Sequence, residues 1–333
     1  MTTIKDIAQR SGAGITTVSR VINNSGYVAD ATRARVEKAI KELGYRPNAS
    51  ARMMRSGRSN LIGILVPSIK VDFFARLAHR LEQALFSKGY QTLICSTAED
   101  INHESEYINM LLAQQVDGVM VASVSSNIKA FSKLSDAGIP ILALDRELEG
   151  MNATLVSSDH FGGGQLAANH LIELGHKHIS VIGAPAQSEP VKQRAAGVSK
   201  ACRDAGLPEP EIVLGADHRV QSCSDLALSV FEKTPRPSAI VATSDIAAIG
   251  ILHATRAVGV KVPDELSVTG FDDTPLASYV FPAVTTVAQQ IDEIAHEAIT
   301  ALLTMINTPD AKLPADVILP VSLSLRQSTA KKS

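Results

Sequence analysis

Only three cysteines occur in 333 residues, Cys95, Cys202 and Cys223, and no two form a CxxC pair. That argues against a disulfide framework or a thiolate zinc site and leaves buried or partly buried reduced thiols as the expectation. No run of 18 apolar residues exists, so no membrane span is expected. Polar residues follow Met1 without an apolar h-region, so no secretory leader is expected, and the cytoplasm is the expected location. Phosphate-loop chemistry is missing as well. Gly162-Gly163-Gly164 is followed by no GK[ST] and fits no GxGxxG pattern, so close approach of a helix to backbone is its reading. His160, His170, His176 and His178 match no zinc spacing and read as surface histidines, with no metal expected. Asp272 and Asp273 are neighbours whose side chains point oppositely in an extended segment, a poor carboxylate dyad. No Ser/His/Asp or Cys/His set converges, so an α/β enzyme is the weaker alternative and no cofactor is expected.

What is present is ordinary globular composition, 45% hydrophobic and 20% charged, with an uneven distribution of charge. Residues 1–60 hold eleven Lys/Arg against four Asp/Glu, a net +7; the whole chain is −2, so the remainder carries −9. A basic head on an acidic body is the asymmetry of a nucleic-acid-binding arm. Within that head, Ile4, Ile7 and Ala8 make one apolar helix face, Ser11-Gly12-Ala13-Gly14 breaks the chain, and Ile15–Asn23 resumes with Val18, Val21 and Ile22 inward. Helix, glycine turn and second helix form the helix-turn-helix pattern, whose second helix enters the major groove. Ile15, Thr16 and Arg20 are its outward positions, and an Arg there can contact guanine through both of its terminal nitrogens. A third helix is expected over Ala31–Leu43, N-capped by Asp30 or Thr32 and stopped at Gly44. Ala49–Arg55 reads as a short basic helix and residues 56–60 as a flexible linker.

After the linker, apolar runs alternate with helical patterns. Strands are expected at Leu61–Val66, Thr92–Cys95, Gly118–Ala122 and Ile139–Leu144, and the alternation restarts after Ser157 with strands at Ile179–Gly183, Ile212–Leu214, Ala239–Thr243 and Leu266–Phe271. Two such units imply two α/β lobes with parallel sheets. Such sheets bind ligands beyond the carboxyl ends of their strands, so a cleft between the lobes is the expected site. Phe73 and Phe74, Asp145 and Arg146, Asp159, Ser244, Asp272 and Gln289 each stand just past a strand. Arg194 is expected to start a turn into the helix after Gly183. Carboxylates, guanidiniums and an amide beside aromatic faces suit a polyhydroxylated ligand, whose hydroxyls both donate and accept.

The segments IKDIAQRSG, TTVSRVINN, TRARVEKAIKELGYRPN and ASARMMR resemble the headpiece of the lactose/galactose repressor (LacI/GalR) family. LIGILVPSI, DFFARL, QVDGVMV, GIPILALDR, LGHKHISVIG, RPSAIVATSD, VPDELSVTGFDD and PAVTTV are similar to the core that this family shares with periplasmic sugar-binding proteins. The resemblance implies a small all-α helix-turn-helix headpiece, residues 1–48, then a hinge helix and linker, 49–60. A two-lobed periplasmic-binding-protein-like α/β core for effector binding and dimerisation would follow over 61–329. It implies a sequence-specific transcriptional repressor acting as a homodimer on double-stranded DNA with a near-palindromic operator, with no membrane role. The DNA-contacting set would be Thr3, Ile15, Thr16, Thr17, Arg20, Asn23, Tyr45, Asn48, Arg52 and Met54, with Met54 standing where the family wedges a leucine into the minor groove. Phe73, Phe74, Asp145, Arg146, Arg194, Phe271, Asp272 and Gln289 match the family's effector contacts, in a set that looks most like that for a small monosaccharide such as a pentose. The chain departs from the family in having Gly14 in place of a capping serine, Val71-Asp72 before the Phe pair in place of Asn-Pro, and Ser244 in place of Asn. Little sequence follows Arg326, with no heptad segment for a tetramer, so a dimer is expected. A sugar-binding protein without a DNA role fits the core but not the basic head.

Overall fold

The computed structural model describes residues 2–45, 57–122 and 128–332. It divides into two compact units, residues 1–59 and 60–333.

In the first unit, α1 (Ile4–Ser11), α2 (Ile15–Ile22) and α3 (Asp30–Glu42) close on one small core of Ile7, Val18, Val21, Val28, Val36 and Ala39. The start of α1 is a capping box. The Asp6 amide donates to Thr3 Oγ1 at 3.4 Å and the Thr3 amide donates to Asp6 Oδ2 at 2.7 Å, so two otherwise orphaned helix donors are satisfied. Gly12, at φ +64°, ends α1 in the left-handed conformation that glycine adopts without a steric cost. Gly14 stands at the N-cap of α2 and, having no side chain, leaves that cap without a side-chain bond. The cap of α3 differs from the sequence expectation. Ala29 is the N-cap, and its carbonyl accepts from the Thr32 and Arg33 amides, both at 2.9 Å. Asp30 is instead the first helical residue, where its charge favours the positive end of the helix dipole. The expected helix over 49–55, with Asn48, Arg52 and Met54, lies outside the described residues.

The second unit holds two six-stranded sheets. The first contains β1 (Leu61–Val66), β2 (Gln91–Ser96), β3 (Gly118–Val121), β4 (Ile141–Leu144), β5 (Thr154–Ser158) and β11 (Val317–Leu319), in the order β11-β5-β4-β3-β1-β2, all parallel. The second contains β6 (Ile179–Gly183), β7 (Glu211–Leu214), β8 (Ala239–Ala242), β9 (Ser267–Phe271), β10 (Thr285–Ala288) and β12 (Ser322–Ser324), in the order β12-β10-β9-β8-β6-β7. Only β12 is antiparallel to its neighbour. The two orders are the same doubly wound topology repeated, as the restart of the sequence pattern implied. Inner strands such as β4, ILAL, are apolar throughout because helices cover both faces.

On one face of the first sheet pack α4 (Asp72–Ser87) and α12 (Ile291–Asn307); on the other pack α5 (Ile101–Ala113) and α6 (Ile128–Asp136). The second sheet lies between α7 (His160–Glu173) with α8 (Glu189–Asp204), and α9 (Val220–Phe231) with α10 (Asp245–Val258). A one-turn helix, α11 (Pro275–Tyr279), follows β9. Neither lobe is one continuous stretch. After β10 the chain returns to the first lobe for α12 and β11, then ends in the second with β12. Within Gly162-Gly163-Gly164, Gly164 serves the close approach to backbone expected of the run, while a Cβ on Gly162 or Gly163 would meet the Asp159 side chain or the Phe271 ring. A Cβ on Gly164 would lie 2.0 Å from the Arg194 carbonyl oxygen, and one on Gly197 would lie 2.1 Å from that of Phe161, so α7 and α8 cross with their backbones almost in contact. Among the described residues no helix is long and apolar enough to cross a membrane.

Candidate functional site

The carboxyl ends of the two sheets meet at a cleft of about 700 Å³, counting space at its mouth that is open to solvent. Its lining follows the topology. Pro67 to Phe74 come after β1, Leu144 to Arg146 after β4, Ala184 to Arg194 after β6, Thr243 to Ile246 after β8, and Asp272 to Thr274 after β9. The strand order reverses between β1 and β3 and again between β6 and β8, which is where open α/β sheets leave room for a ligand. Of the expected effector residues, Phe73, Phe74, Asp145, Arg146, Arg194, Ser244 and Asp272 line this cleft. The two phenylalanines meet edge to face at 5.2 Å, which fixes their orientation in the first turn of α4.

Asp145 comes from the first lobe, and its Oδ1 lies 3.0 Å from Nε2 of His160, the first residue of α7 in the second lobe. The Arg194 Nε and Nη2 lie 3.3 Å from His160 Nδ1, and Nη1 donates to the Thr243 carbonyl at 2.6 Å. A guanidinium has only donors, so Nδ1 must accept and the imidazole proton is assigned to Nε2, which bonds the Asp145 backbone carbonyl at 3.2 Å with the carboxylate beside it. Arg194 also lies 3.7 Å over the Phe271 ring and 3.6 Å from Asp272 Oδ1, which accepts from the Gln289 amide at 2.7 Å. A continuous polar path thus crosses the lobes through Asp145, His160, Arg194, Asp272 and Gln289. Both carboxylates sit at positive φ, +69° for Asp145 and +110° for Asp272. Such angles are uncommon for a residue with a Cβ and collect at functional sites.

The two carboxylates differ in character. Burial pushes Asp145 up, but His160, Arg194 and Arg146 outweigh it and hold the group below the usual carboxylate range. Burial pushes Asp272 up to about 7 against Arg194 and the Gln289 bond, with Asp245 and Asp145 adding like charge. Asp145 is therefore an acceptor, while Asp272 sits near the balance between donor and acceptor. Behind it, Asp245 is wholly buried, accepts from Thr286 Oγ1 and the Thr274 amide, and is pushed by burial up to about 6. For Asp245 and Asp272 the folded value exceeds the unfolded one, near 3.9. Between about pH 4 and pH 7 the folded chain then binds more protons than the unfolded chain, and this contribution to stability falls as pH rises. Asp245→Asn keeps the size, with its Oδ1 accepting from the Thr274 amide and its Nδ2 donating to a turned Thr286 hydroxyl. Its melting temperature, relative to the parent, is expected to be higher at pH 7.5 than at pH 5. A difference independent of pH would show that Asp245 is ionised throughout.

Other residues fall elsewhere. Arg194 is inside α8 and buried, rather than at a turn before it, because the helix already starts at Glu189. Phe271 lies beneath Arg194 and outside the cleft lining, and Gln289 reaches the cleft through its bond to Asp272. Ser244 lines the cleft but its hydroxyl also caps α10, accepting from the Ala247 amide at 3.2 Å. Asp159 is not in the cleft lining; its Oδ1 caps α7 by accepting from the Gly162 amide at 2.7 Å, and it faces a separate polar groove. His160 and His176 are buried, against the surface placement expected of them. His160 holds the path just described, and His176 is bonded to Ser238 and to the Ala330 carbonyl near the chain end. Sequence reasoning missed Asp72, Thr243 and His218 as cleft residues. Thr243 directly follows β8 and was open to the strand-end rule. His218 comes from the loop after the edge strand β7. Burial and Arg194 push it down to about 4 against Asp217 and Asp145, and its Nε2 lies 3.7 Å from Glu99 Oε1 of the other lobe.

In the first unit, Ile15, Thr16 and Arg20 are exposed on α2, opposite the buried Val18 and Val21, and Ile15 is 52% exposed despite being apolar. Thr17 is half-buried, and Tyr45 packs against the core. Thr3 is exposed in its capping box, and the Asn23 amide donates to the Ser19 carbonyl at 2.7 Å.

Residues 3–48 match the family model for bacterial regulatory proteins, lacI family, and residues 168–329 match that for a periplasmic binding protein-like domain. The chain is 34% identical to the HTH-type transcriptional regulator DegA of Bacillus subtilis (strain 168), over 99% of this chain and 98% of that protein. The chain belongs to the lacI family of bacterial regulatory proteins. The structure of this LacI-family chain superposes on the Lac repressor dimer bound to operator and the anti-inducer ONPF with a TM-score of 0.88, at 26% identity and 99% coverage of each chain. It is also similar to a LacI family transcriptional regulator from Enterococcus faecium with bound ribose, with a TM-score of 0.74 and 27% identity over 82% of this chain and 100% of that one. Membership in the family makes the LacI-family chain a DNA-binding transcriptional regulator, with the first unit as its helix-turn-helix.

Proposed function

We propose that this chain is a repressor that binds a near-palindromic operator as a homodimer through residues 1–48, joined by residues 49–60 to the core at 61–329. In this reading a small monosaccharide in the cleft modulates operator affinity. The observation that carries it is the polar path across the lobes. Asp145 from one lobe and Arg194 with Asp272 from the other converge on one cleft. A polyol bonded to both sides changes how the lobes sit together, and that change is the coupling free energy between effector and DNA. Phe73 and Phe74 offer faces for sugar C–H groups. The ribose held by the Enterococcus faecium regulator is of the size this set suits.

Arg20, Ile15 and Thr16 read the operator, as the exposed positions of α2. Binding of the full chain to the duplex it enriches from a random pool tests this, with and without sugars, across a salt series. Affinity is expected to fall steeply with salt as displaced counterions are released. Arg20→Ala is expected to cost about 1–3 kcal/mol on the enriched site and to relax one operator position. An equal loss on random duplex would make Arg20 a phosphate contact. Operator affinity unmoved by any sugar that binds the core would refute the coupling.

A further inference from the structure

Three helices begin at the cleft, and the first turn of each contributes to its lining: α4 at Asp72, α8 at Glu189 and α10 at Asp245. A helix N-terminus carries free amide donors and the positive end of the dipole, and α/β proteins use such ends to hold phosphate. In this chain the first helical residue of all three is a carboxylate. The Val71 N-cap of α4 makes no side-chain bond, so the charge nearest that helix end belongs to Asp72 itself. Its Oδ2 is buried, makes no hydrogen bond, and lies 3.9 Å from the Arg76 Nη1, which also donates to the Asp273 carbonyl.

The remaining polar groups lean the same way. Three carboxyl groups line the cleft, Asp72, Asp145 and the partly protonated Asp272, against two guanidiniums, and Arg194 already donates to His160 and Thr243. Thr243 Oγ1, on a residue only 1% exposed, is buried in the lining without a partner. The unmet groups are acceptors, apart from a hydroxyl that can act either way, so they call for a ligand rich in donors. A phosphate or carboxylate group in place of a sugar hydroxyl exchanges a donor for charged acceptors, and brings them against like charge.

We propose that the effector is a free sugar without an anionic group, and that Asp72 is the residue that excludes the phosphorylated form. This rests on the monosaccharide reading of the cleft. Asp72 acts by filling the helix end that would otherwise receive the phosphate, while its unbonded oxygen accepts from a sugar hydroxyl.

The test is calorimetric titration of the full chain with free aldopentoses and aldohexoses, each beside its terminal phosphate ester, such as D-ribose beside D-ribose 5-phosphate. The free sugar that binds is expected to bind at least about tenfold more tightly than its phosphate. Asp72→Asn keeps the size and removes the charge. It is expected to tighten the phosphate ester and weaken the free sugar slightly, closing most of that gap, with a melting temperature near that of the parent. A phosphate that binds as tightly as its free sugar overturns the inference and leaves the sugar reading standing. An unchanged ratio in Asp72→Asn rejects Asp72 as the discriminating residue. Failure of every free sugar and every phosphate to bind brings down the monosaccharide reading itself, and the inference with it.

Discussion

Arg194→Ala is expected to lower the stability of the core by about 3–5 kcal/mol, the range for removing one partner from a buried charged cluster, and to abolish effector binding. The side chain is buried, bonded to His160 Nδ1 and to the Thr243 carbonyl, stacked on Phe271, and close to Asp272. Its loss leaves the Thr243 carbonyl unpaired and lets the His160 proton move to either nitrogen. It also strips Asp272 of its nearby cation, so that carboxyl rises further and holds its proton. Thermal melting and sugar titration of the same preparations check both effects. Arg194→Lys is the informative companion. A single ammonium cannot bond His160 and Thr243 and also lie flat on the Phe271 ring, so an intermediate loss is expected. Adding Asp272→Asn to Arg194→Ala should recover part of the stability, because the pair is in contact and couples by roughly 0.5–3 kcal/mol. Full additivity of the two would show that they do not interact, and the ion-pair account of Asp272 would fail.

Gly164→Ala should destabilise the core by about 1–3 kcal/mol or more, although it replaces glycine inside a helix. Helix propensity alone predicts the opposite, a gain of up to about 1 kcal/mol. Packing wins because the added Cβ would stand 2.0 Å from the Arg194 carbonyl oxygen, and backbone on a neighbouring helix cannot turn away as a side chain can. Relief requires α7 and α8 to separate. Since α7 begins with His160 and α8 carries Arg194, separation pulls apart the two bonded side chains at the cleft. Weaker sugar binding should therefore accompany the lower melting temperature. A melting temperature equal to or above that of the parent would show that the helices part easily, and would remove the close crossing as the reason for Gly164.

Much of this protein was open to reading from local pattern. The capping residue Thr3, the apolar spacing of Ile7, Val18 and Val21, and the turn at Gly12 act within a few residues of one another, so the head unit's helices follow from spacing alone. Parallel strands buried on both faces leave continuous apolar runs such as LIGILV, and their positions were recovered to within two residues at each end. The strand-end rule then found seven cleft residues, because in a doubly wound sheet every inner strand delivers its last residues to the same edge.

What the sequence left undecided depends on partners far along the chain. Arg194 bonds the carbonyl of Thr243, 49 positions away, and His160 reaches Asp145 across the boundary between lobes. No local pattern separates a buried histidine with such partners from a surface one. Asp159 and Asp145 both follow strands, yet one caps its own helix and the other faces the cleft, a choice made by the φ of +69° at Asp145 and by what packs opposite. The return of α12 and β11 to the first lobe was likewise invisible, since an amphipathic helix carries no label for the sheet it will cover. The sequence by itself determined the head unit's helices, the strands that build the two sheets' interiors, the family and the edge at which the site forms. Only the tertiary structure decided which side chains meet there, and which of them belong to helix caps and buried bonds instead, because those pairings are set by packing between segments that are distant in sequence.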